Sequence, residues 1–179
     1  EREGWVDRNK LLDFNGRSRK PQIALAAKYG FTDYAQPAGG CCFLTNEQYS
    51  HKLSDLWTTR GTKQYEPDDI MLLKVGRHLR PRPNFKLIVG RDEGENNFLG
   101  GYRKRFTHLH ATSHQGPLVL IDGNVSEADI ELAARLTARF GKGREAEAVI
   151  LTVTDTAGNS RELQVAPIPA NDIPPEWYL

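Results

Sequence analysis

Hydrophobic residues are spaced at helical intervals in the first part of the chain and in short strand-like runs later. A helix is predicted between Ser18, which can cap it, and Gly30, which can end it. A second helix is predicted to begin after Thr45, because Gln48 three residues on completes a capping box, and to end at Gly61. Its apolar positions recur at helical spacing: Tyr49, Leu53, Leu56 and Trp57.

Beyond residue 67 the apolar runs become short and are bounded by glycine, which indicates strands. After a short helix over 68–75, the strands are predicted at 85–89, 106–111, 117–121, 148–154 and 162–166, and further helices at 92–99 and 126–140. The segment 75–83 is interpreted as a turn. The pattern predicts an α+β fold, in which a small mixed or antiparallel sheet with flanking helices follows a helical N-terminal segment.

A polar loop at 62–67 is the predicted domain boundary. It separates a helical connecting segment, 1–62, from an α+β domain with a proline-rich tail, 63–179. The connecting segment carries the turn Pro-Ala-Gly-Gly-Cys-Cys at 37–42. Prolines between 167 and 175 are expected to keep the tail irregular and on the surface. Trp177 and Tyr178 in the tail are candidates for a docking contact, and the alternative, which we favour, is that the tail packs on its own domain.

The composition excludes several classes of protein. The distribution of charge along the chain also shows an asymmetry that the net charge conceals. The 179 residues are 39% hydrophobic, which excludes a wholly disordered chain. No run approaches the roughly 18 apolar residues of a membrane span. The net charge is +1, but residues 1–110 hold 19 basic against 13 acidic residues and residues 111–179 hold 5 against 10. We therefore expect only the front part of the chain to meet a polyanion.

The basic residues concentrate around the predicted strand at 85–89, where loops at its ends can present several side chains to one ligand. RNA binding is predicted for Lys74, Arg77, His78, Arg80, Lys86 and Arg91, with a second patch at Arg17, Arg19 and Lys20. Arginine predominates among them, and its planar fork suits phosphate. The alternative is an ordinary solvated charged surface.

Cys41 and Cys42 follow two glycines and precede a predicted helix, whose N-terminus would stabilise a thiolate. Such a thiol could act as a nucleophile, carry sulfur or bind a metal. The alternative is that both are small buried hydrophobic residues, as free cysteines usually are. Two cysteines are too few for a disulfide scaffold or a four-cysteine zinc site.

Other chemistry is not predicted. His108 and His110 alternate along a strand and can chelate zinc, but no partner carboxylate accompanies them, so no metal site is expected. The sequence has no Walker loop, Gly-x-Gly-x-x-Gly or Ser-Gly-Gly-x-Asp-Ser motif, so no cofactor is expected in this stretch.

Several blocks resemble a known family. Gly4-Trp5-Val6-Asp7-Arg8, Gly16-Arg17-Ser18-Arg19-Lys20 and Pro37-Ala38-Gly39-Gly40-Cys41 are similar to the stretch that follows the PP-loop ATP-pyrophosphatase domain in bacterial tRNA thiouridine synthase-like proteins. Leu72-Leu73-Lys74-Val75-Gly76-Arg77-His78 and Lys86-Leu87-Ile88-Val89-Gly90-Arg91-Asp92-Glu93 resemble the RNA-binding module of NFACT proteins. Cys42, where an aliphatic residue is expected, and Gly100-Gly101, which interrupts a helix, depart from the family pattern.

The resemblance implies a tRNA-binding, non-catalytic module of a cytoplasmic tRNA 2-thiouridylase-like protein, with no membrane partner. It implies that an N-terminal PP-loop domain, preceding this piece, uses ATP to adenylate a uridine carbonyl, and that a sulfur donor then displaces AMP. A sulfur-donor protein is one candidate for this partner. Cys41 matches the family's cysteine after Gly-Gly, so the alternative is that Cys41 takes part in sulfur transfer. A third hypothesis is a structural module for docking or oligomerisation.

Overall fold

The computed structural model describes residues 2–16, 18–33, 43 and 46–179. The chain divides into two compact units, Glu1–Cys41 and Cys42–Leu179. In the first unit, a 3-10 helix at Arg8–Lys10 precedes helix α1, Lys20–Lys28, and none of the unit's described residues is buried. Gly30 follows α1 with a φ of 72°. The predicted helix between Ser18 and Gly30 is therefore confirmed, whereas the predicted domain boundary after residue 62 stays a prediction.

The second unit begins with two packed helices, α2 at Glu47–Arg60 and α3 at Pro67–Lys74. The Asn46 side chain caps α2 by accepting a hydrogen bond from the Tyr49 amide at 3.0 Å. The cap therefore lies one residue beyond the predicted Thr45, which is outside the described residues. Gly61 ends α2 with a φ of 65°, as predicted. Tyr49, Leu53, Leu56 and Leu73 form the buried contact between α2 and α3.

The rest of the unit is a six-stranded sheet in the order β1-β2-β4-β3-β5-β6, and every neighbouring pair is antiparallel. The strands are β1 at Arg77–Arg82, β2 at Phe85–Val89, β3 at Thr107–Ala111, β4 at Val119–Gly123, β5 at Val149–Thr154 and β6 at Ser160–Val165. Helix α4, Glu93–Gly100, follows β2, and helix α5, Glu127–Arg139, follows β4. The fold is α+β, as predicted.

Strand β1 corrects the sequence prediction, which had a turn over 75–83. The segment is charged and contains Pro81, so it lacks the apolar alternation of an ordinary strand. Proline is tolerated here because β1 is an edge strand and needs hydrogen bonds on one side only. The register between β1 and β2 shifts between Leu79 and Arg82, beside that proline.

The two faces of the sheet are covered by different helices. One face packs against α5, whose start is capped by Ser126 and Asp129 as predicted. This larger core includes Leu79, Phe85, Leu87, Leu109, Val119, Ala133, Ala134, Leu136 and Leu151. The other face packs against α3 and α4 through Leu72, Ile88, Leu99, Leu118 and Leu120. Among the helices within the described ranges, none has the length and apolar character needed to cross a membrane.

The C-terminal tail packs on its own domain, which was one of the two expectations for it, and only the expectation of a wholly irregular surface course is corrected. Ile168 and Ile173 are buried in the larger core, and short 3-10 helices form at Ala170–Asp172 and Pro175–Trp177. Tyr178 forms a β-bridge with Leu79, and the Leu179 amide donates to the His78 carbonyl at 3.1 Å. The tail thereby covers edge strand β1. Apolar side chains between its prolines make the contact with the core, which the proline pattern alone does not indicate.

Candidate nucleic-acid interface

A basic cleft lies in the second unit, where the end of β2 meets the end of α5. It consists of two adjoining hollows of about 680 Å³ and 500 Å³, which share Gly90, Arg91, Phe140 and Arg144 in their walls. Five basic side chains line the hollows: Arg77, Arg91, Arg139, Lys142 and Arg144. Two acidic residues, Asp92 and Glu93, also lie there. Five cations against two carboxylates line the hollows, and Glu95 and Glu145 at the edge pair with Arg91, Arg139 and Arg144, so the cleft keeps a smaller positive excess that attracts anions.

Backbone contacts join the two sides of the cleft. The Lys142 amide donates to the Gln115 carbonyl at 2.7 Å. A Cβ atom at Gly141 would lie 3.2 Å from the Gln115 oxygen and 3.3 Å from the Gly116 Cα, so these two loops meet closely because both carry glycine. The loop that bears Lys142 and Arg144 is therefore held against the loop that leads into β4.

A second set of contacts places Arg91. The Asn96 side chain accepts a hydrogen bond from the Leu118 amide at 2.9 Å, which ties α4 to the beginning of β4. A Cβ atom at Gly90 would lie 2.1 Å from the Asn96 oxygen, so glycine at this position lets the end of β2 reach α4. Arg91 follows directly and enters the cleft with its backbone fixed on both sides.

The cations of the cleft differ in whether a carboxylate accompanies them. Arg91 binds Glu95 through a bidentate contact whose Nε–Oε1 distance is 3.0 Å, and this hydrogen bonding lowers the pKa of Glu95 to about 2. Arg139 lies 3.3 Å from Glu145, a mostly exposed carboxylate. Within the described ranges, Arg77 and Lys142 have no carboxylate within 4.0 Å.

The N-terminus of α4 is already satisfied by the protein itself. The Asp92 side chain accepts from the Glu95 amide at 2.9 Å, and the first turn carries Glu93 and Glu95. These carboxylates complement the positive end of the helix dipole. The attraction for an anion therefore rests on the side chains of the cleft.

Of the predicted RNA-binding residues, the structure brings Arg77 and Arg91 together in the cleft. Arg80 turns to α2 and binds Asp55, with Nη2 at 2.8 Å from Oδ2. Lys86 is 2% exposed and lies 3.4 Å from Asp122. The RNA contacts predicted for Arg80 and Lys86 stay predictions.

His78 is buried beneath α3. Its Nε2 atom lies 3.1 Å from the Leu72 carbonyl and 3.0 Å from the Val75 carbonyl, which fits a ring that donates from Nε2. Burial, with the charges of Lys52 and Lys86, lowers the pKa of His78 well below its ordinary value. The ring is thus neutral and tied to the end of α3, and its predicted RNA contact is likewise untested.

The remaining predicted residues lie elsewhere. The Lys74 Nζ atom is 4.5 Å from the centre of the Phe43 ring. Arg19 and Lys20 are exposed at the start of α1, in the first unit. Arg17 and the predicted nucleophile Cys41 lie outside the described residues.

Sequence reasoning missed three cations of the cleft: Arg139, Lys142 and Arg144. They belong to the acidic back part of the chain, which was not expected to meet a polyanion. The signal was present in Arg-Phe-Gly-Lys-Gly-Arg at 139–144, where three cations and two glycines lie at the end of a helix and directly after it. Glycine permits the close approach to Gln115 and Gly116, which turns the loop into the cleft.

Clefts with an excess of cations are typical of proteins that bind polyanions. The family model described as the NFACT protein RNA binding domain matches residues 76–178, which is 103 of the 179 residues. The chain therefore belongs to this family, and the match spans the sheet, α4, α5 and the tail.

One similar solved structure is "The structure of the C-terminal of the fibronectin/fibrinogen-binding protein from Streptococcus suis (FBPS)". The identity is 17%, the TM-score is 0.48, and the alignment covers 87% of this chain and 76% of that chain. No curated protein matches.

Proposed function

We propose that the second unit binds RNA, and tRNA in particular, through the basic cleft. The observation that carries the proposal is the convergence of Arg77, Arg91, Arg139, Lys142 and Arg144 within the segment that matches the RNA-binding family. These five come from four places in the chain, and the fold supplies one concave surface for them.

The physical basis is the exchange of counterions for protein cations. Each phosphate that meets Lys or Arg releases condensed counterions, which favours binding at low salt. Lys142 and Arg144 are exposed at the rim, so phosphate can reach them without displacing a buried partner. Arg91 is already oriented by Glu95, which reduces the entropy lost on binding.

The choice of tRNA and the parent protein rest on the resemblance of the N-terminal blocks to tRNA thiouridine synthase-like proteins. In this proposal a PP-loop domain of the same chain modifies tRNA with ATP and a sulfur donor, and the present unit holds the tRNA. The coding sequence upstream of the Glu1 codon tests it, because a Ser-Gly-Gly-x-Asp-Ser loop encoded there would supply the ATP site. A preceding sequence that encodes a different domain would contradict the thiolation role and leave RNA binding intact.

The test of RNA binding is a pair of charge-matched variants. Lys142→Ala with Arg144→Ala removes two cations from the cleft, and Arg103→Ala with Lys104→Ala removes two exposed cations from the turn that follows α4. Affinity for a tRNA transcript is measured by fluorescence anisotropy at a fixed salt concentration. We expect the cleft variant to bind at least about tenfold more weakly than the control variant, a difference of ~1.4 kcal/mol.

Equal losses in the two variants would mean that charge acts over the whole surface, and the cleft would lose its role. Absence of tRNA binding by the wild-type chain would contradict the proposed function itself. Thermal unfolding of both variants checks that the fold is kept, since all four side chains are exposed.

A further inference from the structure

The smaller hollow of the cleft contains a guanidinium and two aromatic rings. Arg77, Phe140 and Tyr178 line it, together with Arg91, Arg139 and Arg144. Its volume is about 500 Å³, within the range of roughly 300–1,000 Å³ that small-molecule sites occupy. A hollow of this size has room for one nucleotide.

Arg77 is held by a ring instead of a carboxylate. Its Cζ atom lies 4.6 Å from the centre of the Phe140 ring, a cation–π contact. Within the described part of the chain it has no carboxylate within 4.0 Å. The guanidinium is partly buried and keeps its donors for a ligand.

Both members of this stack are fixed by the backbone. Arg77 pairs with Val89 across β1 and β2, and Phe140 is the C-cap of α5, with its amide donating to the Leu136 carbonyl at 3.3 Å. The guanidinium and the ring are therefore positioned before a ligand arrives, which lowers the entropic cost of binding.

Tyr178 brings the second ring from the tail. The β-bridge to Leu79 and the bond from the Leu179 amide to His78 hold this part of the tail against β1. Tyr178 remains 38% exposed, so its ring is available at the wall of the hollow. The tail thus contributes to the site as well as to the core.

We infer that this hollow takes an unpaired RNA base, stacked on the Arg77, Phe140 and Tyr178 group, with the adjoining phosphates on Arg91, Arg139 and Arg144. Bases of single-stranded loops and ends stack on aromatic rings and arginine planes, whereas bases inside an A-form duplex are inaccessible to such a hollow. This inference rests on the proposed RNA binding and adds that the cleft selects single-stranded RNA.

The experiment uses an RNA labelled with 2-aminopurine. The label is placed once in a single-stranded segment and once in a duplex of the same length, and fluorescence and affinity are measured with the full chain. We expect the wild type to bind the single strand at least about fivefold more tightly, and to change the fluorescence of that label only, consistent with a stacked base.

Ring variants test the residues. Phe140→Leu and Tyr178→Leu keep apolar volume and remove a ring, and each should weaken single-strand binding by at least about fivefold without changing duplex binding. Phe140→Tyr and Tyr178→Phe keep a ring and should bind the single strand within about twofold of the wild type, which separates stacking from loss of fold.

Two failures are distinguishable. If the ring variants bind both RNAs as the wild type does while Lys142→Ala with Arg144→Ala binds both weakly, the base site is wrong and the RNA-binding cleft stands. If the wild type binds neither RNA, the proposed function fails and the base site fails with it.

Discussion

Arg77 and Arg80 lie three residues apart on β1 and meet opposite surroundings. Arg80 makes a two-point contact with Asp55 of α2, and the two side chains are only 15% and 10% exposed. Arg77 reaches the other side, where it lies on Phe140 and lines the cleft. For these two arginines, the Asp55 carboxylate on the packed helix makes Arg80 part of the fold, whereas Arg77 has no such partner among the described residues and remains available to a ligand.

Other cations of the second unit differ in how deeply they are buried. Lys52 of α2 is buried, and its Nζ atom donates to the Gly76 carbonyl at 3.1 Å. Lys86 is buried beside Asp122. Lys142 and Arg144 are exposed at the rim of the cleft. Lys52 joins α2 to the end of α3 and the turn before β1, Lys86 lies within the sheet, and the cations of the cleft form the proposed interface.

The largest effect is expected on stability from Arg80→Ala. It leaves the Asp55 carboxylate nearly buried without its partner, which should lower the free energy of unfolding by about 3 kcal/mol. Arg77→Ala should lower it by less than about 1 kcal/mol. Urea unfolding followed by circular dichroism measures both. Arg80→Ala with Asp55→Ala should recover part of the loss, and equal losses from Arg77→Ala and Arg80→Ala would remove the distinction between them.

The next effect concerns RNA affinity, for which Arg77 is expected to matter more than Arg80. Arg77→Ala should weaken single-stranded RNA binding by about tenfold, because it removes a cation and a stacking surface together, a loss of ~1.4 kcal/mol. Arg77→Lys keeps the charge without the planar group and should fall between Arg77→Ala and the wild type. Anisotropy titrations measure all three, with Arg103→Ala as the control. If Arg77→Lys bound single-stranded RNA as tightly as the wild type, Arg77 would contribute only its charge and the stacking role would be contradicted.

A smaller effect is expected in the salt dependence. Each phosphate contact with single-stranded RNA contributes about 0.7 to the slope of log affinity against log salt. Lys142→Ala with Arg144→Ala should therefore lower the slope by about 1.4, whereas Arg103→Ala with Lys104→Ala should leave it unchanged. Titrations between about 50 and 200 mM salt supply the slopes. A slope that stays the same in the cleft variant would show that these two cations meet no phosphate.

A separate effect, on the pH dependence of stability, concerns Lys52. Burial, with the charge of Arg91, lowers the pKa of Lys52 from 10.5 to about 8. Between pH 8 and 10.5 the unfolded chain therefore binds more protons at this position than the folded chain. The free energy of unfolding should rise with pH there, relative to Lys52→Met. Urea unfolding at several pH values measures the difference, and parallel pH profiles for the two proteins would contradict the lowered pKa.

The helices and most of the strands could be predicted because their signals are local. Ser126 with Asp129 marks the start of α5, and the apolar run at 85–89 is β2. Strand β1 could not be predicted in this way, because Pro81 and three arginines conceal an edge strand whose partner is β2. Its pairing depends on the sheet, which no short window of sequence contains.

The cleft could be predicted only in part for a related reason. Arg77 and Arg91 stand near each other in the sequence, and their basic cluster indicated an RNA-binding surface. Phe140 is 63 residues from Arg77, and the two meet because α5 packs on the sheet beside β1. When charges are summed along the chain, residues 139–144 fall in the acidic region 111–179. In the folded domain, their cations lie beside Arg77 and Arg91 in the cleft.

Because Gly116 and Gly141 join the two loops through backbone atoms, the shape of the cleft does not depend on the charged side chains at its rim. The loops are joined by backbone atoms, with the Lys142 amide on the Gln115 carbonyl, so the identity of the side chain at 142 is irrelevant to the bond. Substitutions at 142 and 144 can therefore alter the preference for one anion over another within an unchanged frame. A domain built in this way can acquire a new ligand by changing the rim alone, at little cost to the stability of its fold.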